Sequence, residues 1–151
     1  MRFKTVAAIA VGLLAGTTFA LADATKEDAI AMVKKTVAAI KAEGTTKIYD
    51  EINTPNGKFQ SGEIYIVVQG FDGMTLAHAT NPKLIGKNMY GAQDVDGKFF
   101  AKDMADLGRT GHDPFWYSYK FTNPATKKIQ VKDMYCEILP PTTVCAGVYR
   151  P

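Results

Sequence analysis

His78, Trp116, Tyr119, Lys132 and Tyr135 are the side chains of this sequence that together could hold a small anion. Aromatic walls, a few hydrogen-bond donors and one cation suit a carboxylate. The rings enclose the carbon skeleton, while the donors and the cation replace the water lost from the oxygens. Tyr65 and Tyr117 extend the same aromatic set. The same residues also fit a filled core between a sheet and its helices, in which the rings occupy space and a lone histidine is hydrogen-bonded structure. Residue types alone leave both readings open.

Chemistry beyond binding finds little support. Ser61 and Ser118 lie in no nucleophile-elbow sequence, so a Ser-His-Asp arrangement has no anchor. His78 and His112 are too isolated for a metal site, and Cys136 and Cys145 form no Cys-x-x-Cys pair. Asp94 and Asp96 start like a cation loop, but the further spaced oxygen ligands and the terminal Glu are missing, so helix capping is the expectation. Asp103 and Asp106 read as solvated charge on a helix face. No enzymatic activity, metal or cofactor is expected.

Charge argues against nucleic acid. The chain carries 18 Lys and Arg against 15 Asp and Glu, a net charge of +3, and two of those cations, Arg2 and Lys4, precede an apolar run from Val6 to Leu14. With Ala20-Leu21-Ala22 following as a small-residue cleavage site, residues 1–22 read as a secretory signal peptide. The run is shorter than the roughly 20 apolar residues of a membrane anchor. What remains, residues 23–151, suits one domain with a single core. Its lysines, among them Lys26, Lys34, Lys35, Lys41 and Lys47, are dispersed along helical segments and do not form the dense stripe that phosphate binding needs.

The elements that must position these residues follow from pattern. Thr25 caps a helix with Glu27 and Asp28 in its first turn, Ile30, Val33, Val37 and Ile40 form its apolar face, and it ends near Gly44. A short helix over 47–52 follows, stopped by Pro55-Asn56-Gly57. Asp72-Gly73 turns a hairpin between an apolar run from Ile64 to Val68 and Leu76-Ala77, with His78 closing the second arm. Phe99, Phe100, Met104 and Leu107 suggest a helix opening near Asp96-Gly97. Three strands complete the chain, over 115–121, 128–139 and 142–149. With Pro140-Pro141 at the tip of the last hairpin, Cys136 faces Cys145; a disulfide closing so short a loop would stabilise the fold by about 2 to 3 kcal/mol, and buried free thiols are the alternative.

Several motifs in order carry a wider resemblance. Gly62-x-x-Tyr65, Asp72-Gly73-x-x-Leu76-Ala77-His78, Asn81-Pro82-x-Leu84-Ile85-Gly86-Lys87-Asn88, Asp94-x-Asp96-Gly97-Lys98-x-Phe100, Trp116-x-x-Tyr119-x-Phe121-x-Asn123-Pro124, Lys132-x-x-Tyr135 and Ala146-Gly147-x-Tyr149 closely resemble the single Cache domain, type 2. The resemblance implies an α+β, PAS-like antiparallel sheet of about five strands, with a long N-terminal helix and a helical insert between the second and third strands. It also implies an extracytoplasmic sensor for small organic acids, with Trp116, Tyr119 and Lys132 as pocket residues and His78 and Tyr135 behind them. Thr80, Phe115 and Phe121 depart from the family pattern.

On an unbulged strand Lys132 and Tyr135 point to opposite faces, so both reach one pocket only if the strand bends or bulges. The expectation is a free-standing periplasmic domain that serves a membrane histidine kinase or chemoreceptor and dimerises through its first helix. A protein-interaction subunit with a vestigial pocket is the alternative.

Overall fold

The computed structural model describes residues 24–151; the signal peptide expected over 1–22 lies outside the described residues. Helix α1 runs Lys26–Glu43 and opens on a capping box. The Thr25 hydroxyl accepts the Asp28 N–H, and the Asp28 carboxylate accepts the Thr25 N–H in return, satisfying two of the amides a helix start leaves unpaired. Ala29, Val33, Thr36, Val37 and Ile40 form its buried stripe. Gly44, at φ 92°, ends the helix where a side chain would be strained, and α2 (Thr45–Ile52) starts directly after it.

A six-stranded antiparallel sheet takes up the rest: β1 (Gln60–Ser61), β2 (Ile64–Gly70), β3 (Thr75–His78), β4 (Phe115–Thr122), β5 (Ile129–Leu139) and β6 (Thr142–Tyr149). The order across it is β1-β2-β6-β5-β4. Strands β1 and β3 succeed each other along one edge of β2, pairing with Ile64 and Tyr65 and with Val67, Val68 and Gln69 respectively.

Side chains alternate between the two faces. Ile64, Ile66, Val68, Val144, Ala146 and Val148 project toward α1 and α2 and bury against Val33, Val37, Ile40, Ile48 and Ile52. The other face carries Met134, Cys136, Cys145, Phe115 and Tyr119, which pack against Phe100, Ala101 and Met104 of α3 (Phe100–Arg109). Gly108 lets α3 approach closely, since a Cβ there would lie 2.6 Å from the Phe71 ring and 2.9 Å from the Thr143 methyl.

The helical insert lies where expected, between β3 and β4, but starts at Phe100. Asp94, Asp96 and Gly97 form a turn before it, and the Asp94 carboxylate accepts N–H bonds from Asp96, Lys98 and Lys120. Asp94 therefore caps a turn and the outer edge of β4, and Asp96 pairs with the Lys120 ammonium, where the sequence suggested a helix start. Asp103 and Asp106 are likewise engaged: Asp103 accepts the Tyr117 hydroxyl, and Asp106 takes Lys102, Arg109 and Tyr90.

Candidate ligand-binding site

A cavity of about 30 Å3 lies between the sheet and α3. A water molecule needs roughly 10–15 Å3 by this measure, so the space suits a molecule of a few heavy atoms. Strands β2 and β3 supply Tyr65, Val67, Gln69, Thr75 and His78; Leu84 and Met89 close one side; Phe100 and Met104 form the roof; Tyr119, Phe121, Met134 and Cys145 complete the wall. None of these is acidic.

Thr75 and His78 share this wall because of a bulge. Val67 pairs with His78 and Val68 with Ala77, but Gln69 pairs with Thr75, which leaves Leu76 as the extra residue. Residues three apart on a regular strand face opposite ways, and the bulge restores both to the cavity side. Gln69 then anchors the roof by donating to the Ala101 carbonyl at 2.7 Å.

His78 is buried, and its backbone N–H donates to the Asn53 side-chain oxygen at 2.9 Å. Its ring Nδ1 accepts the Asn81 N–H at 3.0 Å and the Thr80 N–H at 3.4 Å. That acceptor role assigns the proton of the neutral ring to Nε2 and makes Nε2 a donor. Burial, reinforced by the charge of Lys132, lowers the imidazole pKa to about 4, so the ring is neutral at pH 7. Tyr119 stacks on Phe100 with ring centroids 4.5 Å apart, and burial raises its phenol well above the ordinary value, so it too stays a neutral donor.

Lys132 is completely buried, and its ammonium has no hydrogen-bond partner. Nζ sits 3.8 Å from the centroid of the Tyr65 ring and 5.2 Å from that of Tyr149. The two tyrosine hydroxyls are 3.2 Å apart, and that of Tyr149 donates to the Thr122 carbonyl. Lys132 is thus one ring behind the cavity, separated from it by Tyr65. A buried cation without an anion costs several kcal/mol, of which cation–π contact offsets only about 2.

The five side chains expected to share one pocket do not all meet. His78, Tyr119 and Lys132 lie on the α3 face. Trp116 and Tyr135 lie on the α1 face, with ring centroids 5.2 Å apart. The β4–β5 ladder shows why: Trp116 pairs with Tyr135 and Tyr119 with Lys132, without a bulge in between, so a three-residue step changes face in both strands. On that far side Lys26 lies 5.0 Å over the Trp116 ring, and Tyr135 donates to Glu137. Buried Asp133 there accepts from Arg150 and Ser118, and the Arg150 bond leads in holding its carboxyl below the usual range.

Sequence reasoning passed over Gln69, Thr75 and Met134; alternation outward from Tyr65 and Lys132 marks Gln69 and Met134, whereas Thr75 depends on the bulge. Cys136 and Cys145 are directly opposed on β5 and β6 and are bonded, next to the cavity. Among the described residues no group of His, Cys, Asp and Glu could hold a metal ion, and no helix is long and apolar enough to cross a membrane.

A long helix on one face of an antiparallel sheet, with a small cavity beneath a helical insert on the other, defines a domain of PAS-like architecture. The chain belongs to the single Cache domain 2 family, whose model matches residues 2–149. A methyl-accepting chemotaxis protein from Vibrio parahaemolyticus shares the fold at 21% identity and TM-score 0.66, over 82% of this chain and 87% of that one. A periplasmic sensor domain of a chemotaxis protein aligns at 19% identity and TM-score 0.65, over 83% and 90% of the two chains. A Cache chemosensory domain solved for the structural basis of carboxylic acid recognition aligns at 20% identity and TM-score 0.64, over 83% and 88%. No curated protein matches the sequence.

Proposed function

We propose that this domain binds a small carboxylate and reports it to a separate membrane signalling protein, a histidine kinase or chemoreceptor. The observation that carries the reading is Lys132, a buried ammonium without an anion, set behind a cavity in which His78 and Tyr119 are neutral donors. A carboxylate entering the cavity would take bonds from His78 Nε2 and the Tyr119 hydroxyl, and a turn of the intervening Tyr65 ring would let Lys132 exchange its cation–π contact for a charge-assisted bond. The cavity volume favours a ligand of few carbons. Carboxylic acid recognition by a Cache domain of the same fold supports the choice of ligand class. Location in the periplasm, following removal of residues 1–22, and dimerisation through the outer face of α1 belong to the same proposal.

The test is a thermal-shift and calorimetric panel of formate, acetate, propionate, lactate and succinate against the wild-type protein and Lys132→Met. A ligand that binds only the folded state raises the melting temperature. Stabilisation of the wild type by at least one acid, absent in Lys132→Met, is expected; no response to any acid would overturn the reading. The small cavity favours one second reading, a protein-interaction subunit with a vestigial pocket. That reading predicts an unresponsive panel together with co-purification of a membrane kinase.

A further inference from the structure

We propose that Gly147 and Tyr65 are positioning residues for Lys132: Gly147 opens a gap in β6 across which the lysine passes from β5 to β2, and the Tyr65 ring face seats its ammonium. Lys132 belongs to β5, where it pairs with Tyr149 of β6, and Met134 pairs with Gly147. Strand β2 lies beyond β6. Ile66 of β2 pairs with Ala146, so the same register continued by one residue sets Tyr65 opposite Gly147. Strands β5 and β2 are two spacings apart, roughly 10 Å. For its ammonium to reach 3.8 Å from the Tyr65 centroid, the lysine must lie flat over β6 and not stand upright on β5.

Position 147 is where it crosses. A Cβ on Gly147 would lie 2.7 Å from Lys132 Cε, 2.6 Å from Met134 Sδ and 2.9 Å from the Asp133 carbonyl oxygen. Gly147 is not among the glycines with positive φ, so conformational freedom does not explain a glycine in mid-strand; space does. Its neighbours on the same face close the path on both sides, Cys145 through its disulfide and Tyr149 through its ring. The gap thus delivers the cation to the ring that forms the cavity wall. The effect on binding rests on the carboxylate reading above, whereas the position of the lysine does not.

Proton NMR of the ligand-free protein tests the geometry first. The ε-methylene protons of Lys132 should resonate upfield of other lysines, because they lie over a ring, and should show cross-relaxation to the Gly147 α-protons. Tyr65→Phe should keep the upfield shift; Tyr65→Leu and Gly147→Ala should abolish it. With acetate as probe, Gly147→Ala should weaken binding roughly tenfold, the scale of one misplaced charge-assisted bond. An unshifted Lys132 or missing Gly147 contacts in the wild type would overturn the proposal, as would a Gly147→Ala protein with both shift and affinity intact. The wild-type cross-relaxation decides the matter even if Gly147→Ala does not fold. Expected NMR behaviour in a protein that binds no acid of the panel would sink the carboxylate reading and leave the positioning in place.

Discussion

Lys132 Nζ lies 3.8 Å from the centroid of the Tyr65 ring, so this buried cation rests on an aromatic face and not on a carboxylate. An aromatic face attracts the charge without neutralising it, which leaves the ammonium available to an incoming anion. A receptor site needs such a group, whereas a core selected only for stability would avoid it.

Replacing that cation by an apolar side chain of similar shape should therefore stabilise the empty protein. Lys132→Met is expected to raise the unfolding free energy in urea by about 1–3 kcal/mol, as when buried charge gives way to hydrophobic packing. It should at the same time abolish stabilisation by carboxylates. A variant that loses stability and keeps its ligand response would contradict the role given to Lys132.

His78 predicts an acid limb in stability. Its pKa falls from 6.5 in the unfolded chain to about 4 in the fold, so above pH 6.5 both states are neutral and the residue contributes no pH dependence. Between 6.5 and 4 the unfolded chain takes up the proton first, and stability declines by about 3 kcal/mol in all. His78→Gln, which keeps a donor but cannot titrate here, should flatten this part of the curve. The groups acting on the His78 ring are Lys132, Tyr65 and the backbone N–H groups of Thr80 and Asn81, and none is a carboxylate that would reverse the sign.

Trp116 and Tyr119 should behave oppositely although only three residues separate them. Tyr119→Phe removes a donor from the cavity wall and should weaken carboxylate binding by about 1 kcal/mol, roughly five- to tenfold. Trp116→Ala alters the α1 face and should leave affinity unchanged. Calorimetric titration of both variants with one acid checks the assignment of faces.

The bond between Cys136 and Cys145 closes a short loop at a sequence separation of 9. Chain-entropy reasoning assigns it about 2 to 3 kcal/mol. Cys136→Ala/Cys145→Ala should lower the unfolding free energy by that amount and leave the β5–β6 ladder intact, since the paired backbone hydrogen bonds do not depend on the sulfurs. Chemical denaturation with far-UV circular dichroism separates the two effects.

Much of the fold was legible in local pattern. Thr25 followed by Asp28 announced the start of α1, its apolar spacing announced the buried stripe, and Asp72-Gly73 announced the β2–β3 turn. The opposition of Cys136 and Cys145 followed from the two-residue Pro140-Pro141 turn. The candidate site was legible in composition but not in arrangement. Spacing alone could not tell whether Trp116 and Tyr119, or Lys132 and Tyr135, share a face, because one bulge would reverse the answer. Leu76 is such a bulge and β5 has none, and nothing local distinguishes the two cases.

The sequence by itself determined α1, the β2–β3 turn and the three long C-terminal strands with their alternation, since these depend on neighbours a few residues apart. Only the tertiary structure decided which alternating set faces the cavity, that Lys132 crosses β6 at Gly147, and that Tyr65 receives it. Those relationships depend on register between strands distant in sequence. A shift of one residue there exchanges the two faces of the sheet.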